Sequence, residues 1–194
     1  MPTRSLVLAS ASPRRAELLR LAGLSFTVRP ADLDETIRPG ESPAGYAGRL
    51  ARGKALAAGG GAEPSAILAA DTIVVIDGGI LGKPRDRADA TRMIGLLAGR
   101  THEVLTAIAL RLLPEEITSS DLATTRVRFA PMSEEEIAWY AGTGEGLDKA
   151  GAYALQGRGA LFIAGIEGSY TNVIGLPLER LHPLLTRSGF RLGA

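Results

Sequence analysis

The sequence predicts an α/β fold, and three observations carry that expectation. Apolar residues alternate along the chain between strand-like runs and helical spacing, and turn and capping residues separate one kind of segment from the next. Near the middle the alternation breaks, where two long strand-like runs follow one another. A first strand is expected over 6–9, a helix over 13–21 opened by Ser12-Pro13, and a second strand over 25–29 after the Gly23 stop. The stretch 30–42 is polar and loop-like. Ser42-Pro43 then opens a helix that runs to about Leu56 and ends at the glycine run 59–61. No Lys-Ser or Lys-Thr follows that run, so it reads as a flexible loop and not as a P-loop. An apolar, β-branched strand is expected over 67–76, interrupted only by Asp71 and Thr72, with Asp77-Gly78 as a hairpin-type turn. A helix over about 87–97 leads into the strand-like runs 102–113 and 117–129, which turn at Pro114, Glu115 and Glu116. Ser133 begins another helix. A glycine-rich loop, a strand over 160–166, a turn at Gly168 and a last helix from about Leu178 complete the outline. No period of 20 to 50 residues recurs, which excludes a solenoid.

Composition narrows the chemistry. With 194 residues and 45% apolar content, the chain can bury one substantial core, as one domain or two closely packed lobes. A net charge of +1 removes any general polyanion-binding argument, so local basic clusters matter more than the total. Cysteine is absent, which excludes disulfides, thiolate catalysis and zinc–thiolate sites and fits a reducing compartment. His102 and His182 are the only histidines, too few for a histidine metal cluster. Aromatic content is 5%, with neither interleaved aromatics nor a basic stripe, so no nucleic-acid partner is expected. No signal peptide and no bilayer-spanning apolar run is seen. The expectation is a soluble, cytoplasmic protein with no membrane partner.

The segment Ser10-Ala11-Ser12-Pro13-Arg14-Arg15 links the first strand to the first helix in a form suited to holding an anion. Ser12 suits the N-cap, and Pro13 suits the first helical position, where a missing N–H costs nothing. Two arginines then occupy the first turn, opposing the helix dipole by roughly 0.3–1 kcal/mol each at an exposed end. A bound phosphate chain offsets that cost, because backbone N–H groups, the dipole and two guanidinium forks converge on it. The alternative is a solvated basic turn.

Asp71 is the residue most out of place, since an acid inside a buried-type strand is expensive unless it is paired, bound to a metal or used in chemistry. The other reading has Asp71 ending one short strand and capping a turn. Asp32, Asp34 and Glu35 lie in the loop after the second strand and offer oxygen ligands for a hard cation such as magnesium. Lys54, on a helix, and Lys83, just before Pro84, add two cationic groups.

Taken together, the motifs resemble the Maf family of nucleoside triphosphate pyrophosphatases over nearly the whole chain. They are the Ser10 to Arg15 segment, Asp34-Glu35, Leu50-Ala51-Arg52-Gly53-Lys54-Ala55, Ala70-Asp71-Thr72, Gly82-Lys83-Pro84, Asp148-Lys149-Ala150-Gly151-Ala152-Tyr153, Gln156-Gly157 and Gly175-Leu176-Pro177-Leu178. The resemblance implies one domain over 1–194, an extended central mixed β-sheet with flanking helices, two lobes around a nucleotide cleft, and frequently a homodimer. The implied reaction is hydrolysis of a nucleoside triphosphate to the monophosphate and pyrophosphate with a divalent metal, magnesium or manganese, as house-cleaning of nucleotide pools.

On the same resemblance, Ser10, Ser12, Arg15, Lys54 and Lys83 hold phosphates, Glu35 and Asp71 bind the metal, and Asp71 is the base that activates water. The roles of Glu35 and Asp71 are exchangeable at this level. Arg14, Thr72 and Gln156 resemble the branch that cleaves dTTP and UTP, modified uridine triphosphates being candidates too. The sister branch, which cleaves 7-methyl-GTP, typically has Trp, Gln and Glu at those places. A glutamine amide both donates and accepts, matching the imide edge of thymine or uracil, whereas a carboxylate only accepts and suits the donor edge of guanine. The alternatives are a 7-methyl-GTP pyrophosphatase and a nucleotide-binding regulator of septum formation with little turnover. The intact acids Glu35 and Asp71 argue against the regulator.

Overall fold

A computed structural model describes residues 4–59 and 64–190. The first strand, β1 (Ser5–Leu8), stops where Ser10 to Ser12 turn the chain into α1 (Pro13–Leu21), which Pro13 opens at the first helical position. Gly23, at φ 71°, ends that helix in a left-handed conformation, and β2 (Thr27–Val28) returns beside β1. After a polar loop, Ser42 caps α2 (Pro43–Ala57) by accepting the Gly45 N–H. The next strand, β3 (Ser65–Ile76), turns through Asp77 and Gly78 into β4 (Gly79–Leu81). Both turn residues have positive φ, 50° and 75°, as a two-residue hairpin connection of the primed type requires. Asp86 caps α3 (Arg87–Leu97) through the Asp89 N–H, and β5 (Thr101–Leu113) and β6 (Ile117–Phe129) form a hairpin. A capping box between Ser133 and Glu136 opens α4 (Glu134–Gly142). The chain closes with β7 (Ile163–Glu167), α5 (Tyr170–Ile174) and α6 (Leu178–Arg187). Among the described residues, no helix is long and apolar enough to cross a membrane.

The strands form one seven-stranded sheet in the order β2-β1-β3-β5-β6-β7, with β4 paired to β3 off that path. β1 lies parallel to both β2 and β3, in the registers Val7 to Thr27 and Val7 to Ile67. The β3/β4 and β6/β7 pairs are antiparallel, so the sheet is mixed. The α/β class is therefore as the sequence pattern predicts, and the central mixed sheet flanked by helices is as the family resemblance implies.

Packing divides into two compact units. The first comprises the described residues of Met1–Asp71, Thr106–Ala123 and Gly175–Ala194, and buries Leu8, Leu19, Leu50, Leu68, Ile108 and Leu176 completely. Each such side chain contributes about 1.5–3 kcal/mol of burial free energy. The second comprises Thr72–Leu105 and Thr124–Ile174, with a core that includes Val74, Ile94, Leu97, Val127, Phe129 and Tyr140. Within it His102, Phe129 and Tyr153 pack edge to face, and the His102 Nε2 meets the Tyr153 hydroxyl at 2.8 Å.

Some boundaries differ from expectation. β3 is continuous through Asp71 and Thr72, which disposes of the reading in which Asp71 ends a short strand. The second strand keeps only two of its expected residues. The expected strand over 160–166 begins instead as a 3-10 turn, Arg158–Phe162, and only Ile163 onward pairs with β6. There the N–H groups of Arg158 and Gly159 bind the Glu145 carboxylate and not a neighbouring strand. Of the glycine run 59–61, Gly60 and Gly61 lie outside the described residues.

Candidate active site

Asp71 sits near the middle of β3 with 7% of its surface exposed, a position where an unpaired carboxylate would be costly. Lys54 resolves that cost. Its ammonium donates to Asp71 Oδ1 at 2.7 Å and lies 2.6 Å from Glu35 Oε1, so one cation serves both acids. The lysine reaches them because α2 is anchored by the buried residues Ala47, Leu50, Ala51 and Ala55. Glu35 is the solvent-open member, its side chain half exposed where that of Asp71 is nearly covered.

Arg15 stands in the first turn of α1, which contains no acidic residue. Its Nε donates to the Gly175 carbonyl at 2.8 Å and its guanidinium to Ser10 Oγ at 3.0 Å. The buried Ser10 hydroxyl also accepts the Ser12 N–H at 3.2 Å, tying the loop to the helix it feeds. Ser12 occupies the N-cap by backbone geometry, but its hydroxyl makes no capping bond, contrary to the simplest reading of Ser12-Pro13. Burial pulls the Arg15 guanidinium below the ordinary arginine value; Asp71 opposes this, Arg14 adds to it, and Glu35 opposes it. The arginines and the two acids thus share one electrostatic field.

The loop that carries Glu35 is fastened to α2. Tyr46 donates its hydroxyl to the Glu35 carbonyl at 2.8 Å, and Arg49 donates to the Thr36 carbonyl at 3.0 Å. Arg49 also forks onto Glu41 at 2.6 and 2.7 Å and covers the Tyr46 ring, and that hydrogen-bonded contact holds the Glu41 carboxyl down to about 2. The loop packs closely on α2 at Gly53, where an added Cβ would lie 2.6 Å from Leu33 Cδ2 and the leucine side chain would have to shift. Burial raises the Tyr46 phenol, and the charges of Asp71 and Glu35 raise it further. Tyr46 and Arg49 lie outside the motifs named above, whereas Gly53 belongs to the Leu50 to Ala55 motif. The available signal is their spacing, 46, 49 and 53, which puts them on the helical face next to Lys54.

Of the three acids proposed there as cation ligands, Asp32, Asp34 and Glu35, only Glu35 meets Lys54. Asp32 accepts the Leu33 N–H, and Asp34 accepts the N–H and hydroxyl of Thr36, so both serve local turns. Among the described residues, no group of three or more His, Cys, Asp or Glu side chains gathers as a metal site. The carboxylate pair that could hold a hard cation is Glu35 and Asp71, brought together on Lys54. It fits magnesium, which binds through one or two carboxylates and completes its shell with phosphate oxygens and water.

The remaining expected site residues belong to the second unit, apart from the half-buried Arg14 beside Arg15. Thr72 follows Asp71 on β3. Lys83 is exposed just after β4, in a turn anchored by the Gly151 N–H on the Gly82 carbonyl at 3.0 Å. Gln156 is exposed and donates its side-chain amide to the Tyr170 hydroxyl at 3.2 Å.

Comparison of the sequence with known proteins finds similar chains over nearly its whole length. A protein named dTTP/UTP pyrophosphatase from Anaeromyxobacter sp. (strain Fw109-5) is 52% identical over 190 residues, covering 96% of this chain and 91% of that protein. Proteins of the same name from Symbiobacterium thermophilum and Myxococcus xanthus are 51% and 50% identical, covering 96% of this chain and 95% and 94% of their own lengths. The family model described as Maf-like protein matches residues 5–188. That span runs from the start of β1 through α6 and includes each residue just placed, and the chain belongs to the Maf family.

Proposed function

We propose that the protein hydrolyses dTTP and UTP to the monophosphate and pyrophosphate. The observation that carries this is the buried Asp71 held beside Glu35 by one lysine, in a chain about half identical to proteins named for that activity. Asp71 orients the attacking water and takes its proton. The water oxygen bonds to the α-phosphorus, the bond from that phosphorus to the bridging oxygen breaks, and pyrophosphate leaves with the electron pair. Arg15, Lys54, Lys83 and the loop of Ser10 and Ser12 hold the phosphates and meet the charge that develops on them. A divalent cation, magnesium or manganese, would be held by Glu35 and Asp71 and would neutralise phosphate oxygens. Because Lys54 contacts both acids, the assignment of base and ligand between Glu35 and Asp71 stays exchangeable.

Base choice rests on Arg14, Thr72 and Gln156. The Gln156 carboxamide donates and accepts, which pairs with the imide edge of uracil or thymine, modified uridines included. The same reading takes the protein as a cytoplasmic homodimer acting on free nucleotides, with neither nucleic acid nor membrane as partner; light scattering on the purified chain checks the dimer. The deciding experiment is pyrophosphate release from dTTP, UTP, CTP, ATP, GTP and 7-methyl-GTP, with and without magnesium or manganese. Turnover of dTTP and UTP well above the purines, lost without metal, is the expected result. No release from any triphosphate, or a purine preference, would overturn the reading.

A further inference from the structure

The loop that presents Gln156 is pinned by two side chains that the proposed reaction does not use. Glu145 accepts the Arg158 N–H at 2.9 Å on Oε1 and the Gly159 N–H at 3.0 Å on Oε2. Tyr140, which is 1% exposed at the end of α4, donates its hydroxyl to Glu145 Oε2 at 2.9 Å and accepts the Ala154 N–H at 3.0 Å. Both ends of segment 154–159 therefore terminate on one tyrosine–carboxylate couple. Glu145 is itself fixed, its N–H on Thr143 Oγ1 and its carbonyl under the Lys149 ammonium. Burial works to raise the Glu145 carboxyl, but the N–H groups of Arg158 and Gly159 and the Tyr140 hydroxyl outweigh it and hold it below its ordinary value.

The glycines show how closely the loop lies on this couple. A Cβ at Gly157, where φ is 99°, would lie 2.3 Å from Glu145 Oε1. One at Gly159 would lie 2.3 Å from the Ala154 carbonyl oxygen and 2.7 Å from the Tyr140 hydroxyl. Gln156 stands between the anchors as an exposed residue, and its carboxamide has a second tether in Tyr170. Tyr170 opens α5, where Asn172 binds the Val104 carbonyl at 3.0 Å and Thr125 Oγ1 at 2.9 Å.

We propose that Glu145, together with Tyr140, is a positioning residue for base selectivity: it fixes segment 154–159 and thereby the place of the Gln156 carboxamide. This rests on the reading of Gln156 as the group that meets the base. A hydrogen-bonding reader rejects the wrong base only when its donor and acceptor cannot move to suit it, so the stiffness of its support is part of the discrimination.

The test compares kcat/KM for dTTP with that for 7-methyl-GTP in wild type, Glu145→Gln, Tyr140→Phe, Gln156→Ala and the Glu145→Gln/Gln156→Ala double variant, alongside amide exchange at 154–159. Glu145→Gln keeps the shape but turns an amide donor toward one of the two N–H groups. The dTTP to 7-methyl-GTP ratio is expected to fall about tenfold in it, with faster exchange at Arg158 and Gly159, because one loop N–H loses its acceptor. In the Gln156→Ala background the same substitution should lower the ratio no further, since both act through one group. Tyr140→Phe, which retains the ring, carries the test should Glu145→Gln fail to fold. If Gln156→Ala lowers the ratio and neither loop variant does, or both nucleotides lose activity equally, the positioning role is overturned with the base reading intact. If Gln156→Ala leaves the ratio unchanged, both fall.

Discussion

Lys54 and Asp71 are seventeen residues apart in sequence, and the ammonium of one lies 2.7 Å from the carboxylate of the other. The contact lets an acid occupy a buried strand. It also loads one lysine with three roles: partner of Asp71, partner of Glu35 and proposed holder of phosphate.

Asp71→Asn retains the shape and removes the base. It should lower kcat by about 10²–10⁴ while a non-hydrolysable dTTP analogue still binds. Steady-state kinetics with calorimetric titration check both halves, and near-wild-type turnover would remove Asp71 from the chemistry.

Arg15→Ala and Lys54→Ala should each weaken transition-state stabilisation by roughly 2–4 kcal/mol in kcat/KM, the scale for a lost electrostatic donor. Lys54→Ala carries an added cost, because it leaves Asp71 buried without its cation. Its melting temperature should therefore drop more than that of Asp71→Asn, in which Lys54 keeps Glu35.

Tyr46→Phe removes the hydroxyl that holds the Glu35 carbonyl. The expected loss is about 0.5–1.5 kcal/mol of stability, the usual net worth of one hydrogen bond. Should Glu35 bind the metal, the half-saturating magnesium concentration for activity rises as well. A variant with unchanged magnesium dependence would detach this loop from the metal.

Gln156→Glu is nearly isosteric, yet it removes the amide donors and adds a charge. The pyrimidine substrates should lose roughly 1–3 kcal/mol in kcat/KM through an unpaired carbonyl on the base, with less harm to 7-methyl-GTP. The ratio of the two kcat/KM values is the quantity to measure, and its constancy would show that Gln156 does not read the base.

Burial lowers the His102 imidazole to about 4. The unfolded chain takes up this proton below about pH 6.5 and the folded chain does not, so stability present above pH 6.5 falls as pH drops toward 4. The loss should reach about 2 kcal/mol by pH 5, at 1.36 kcal/mol per unit. Urea denaturation at pH 7.5 and pH 5 reads it directly, and a His102→Asn variant should lack that component.

Helix bounds were most legible where the chain spells its own punctuation, as at Ser12-Pro13 before α1 and Ser42-Pro43 before α2. The hairpin of β5 and β6 was equally plain from its apolar runs and Pro114. The misplaced start of β7 has a distant cause. Residues 158–162 wind into a 3-10 turn instead, its first two N–H groups held by Glu145, and a bond across thirteen residues leaves no trace in periodicity. In the site, Asp71 announced itself as a charge within an apolar run. Tyr46 and Arg49 did not, because an aromatic at helical spacing looks the same whether it fills a core or braces a loop. Glu145 lay hidden for a related reason: an acid among glycines reads as a solvated turn until its acceptor geometry is seen.

The brevity of β2 has a consequence for how the protein lives at high concentration. Two residues, Thr27 and Val28, make up this margin of the sheet, and Arg29 already returns its N–H to Leu8 before Pro30, which has no N–H to offer. A foreign chain seeking to add itself there finds almost no ladder to copy, then a cation and an imino acid. Runaway strand addition, the first step toward fibrils, is disfavoured at this rim by the four consecutive residues Thr27 to Pro30.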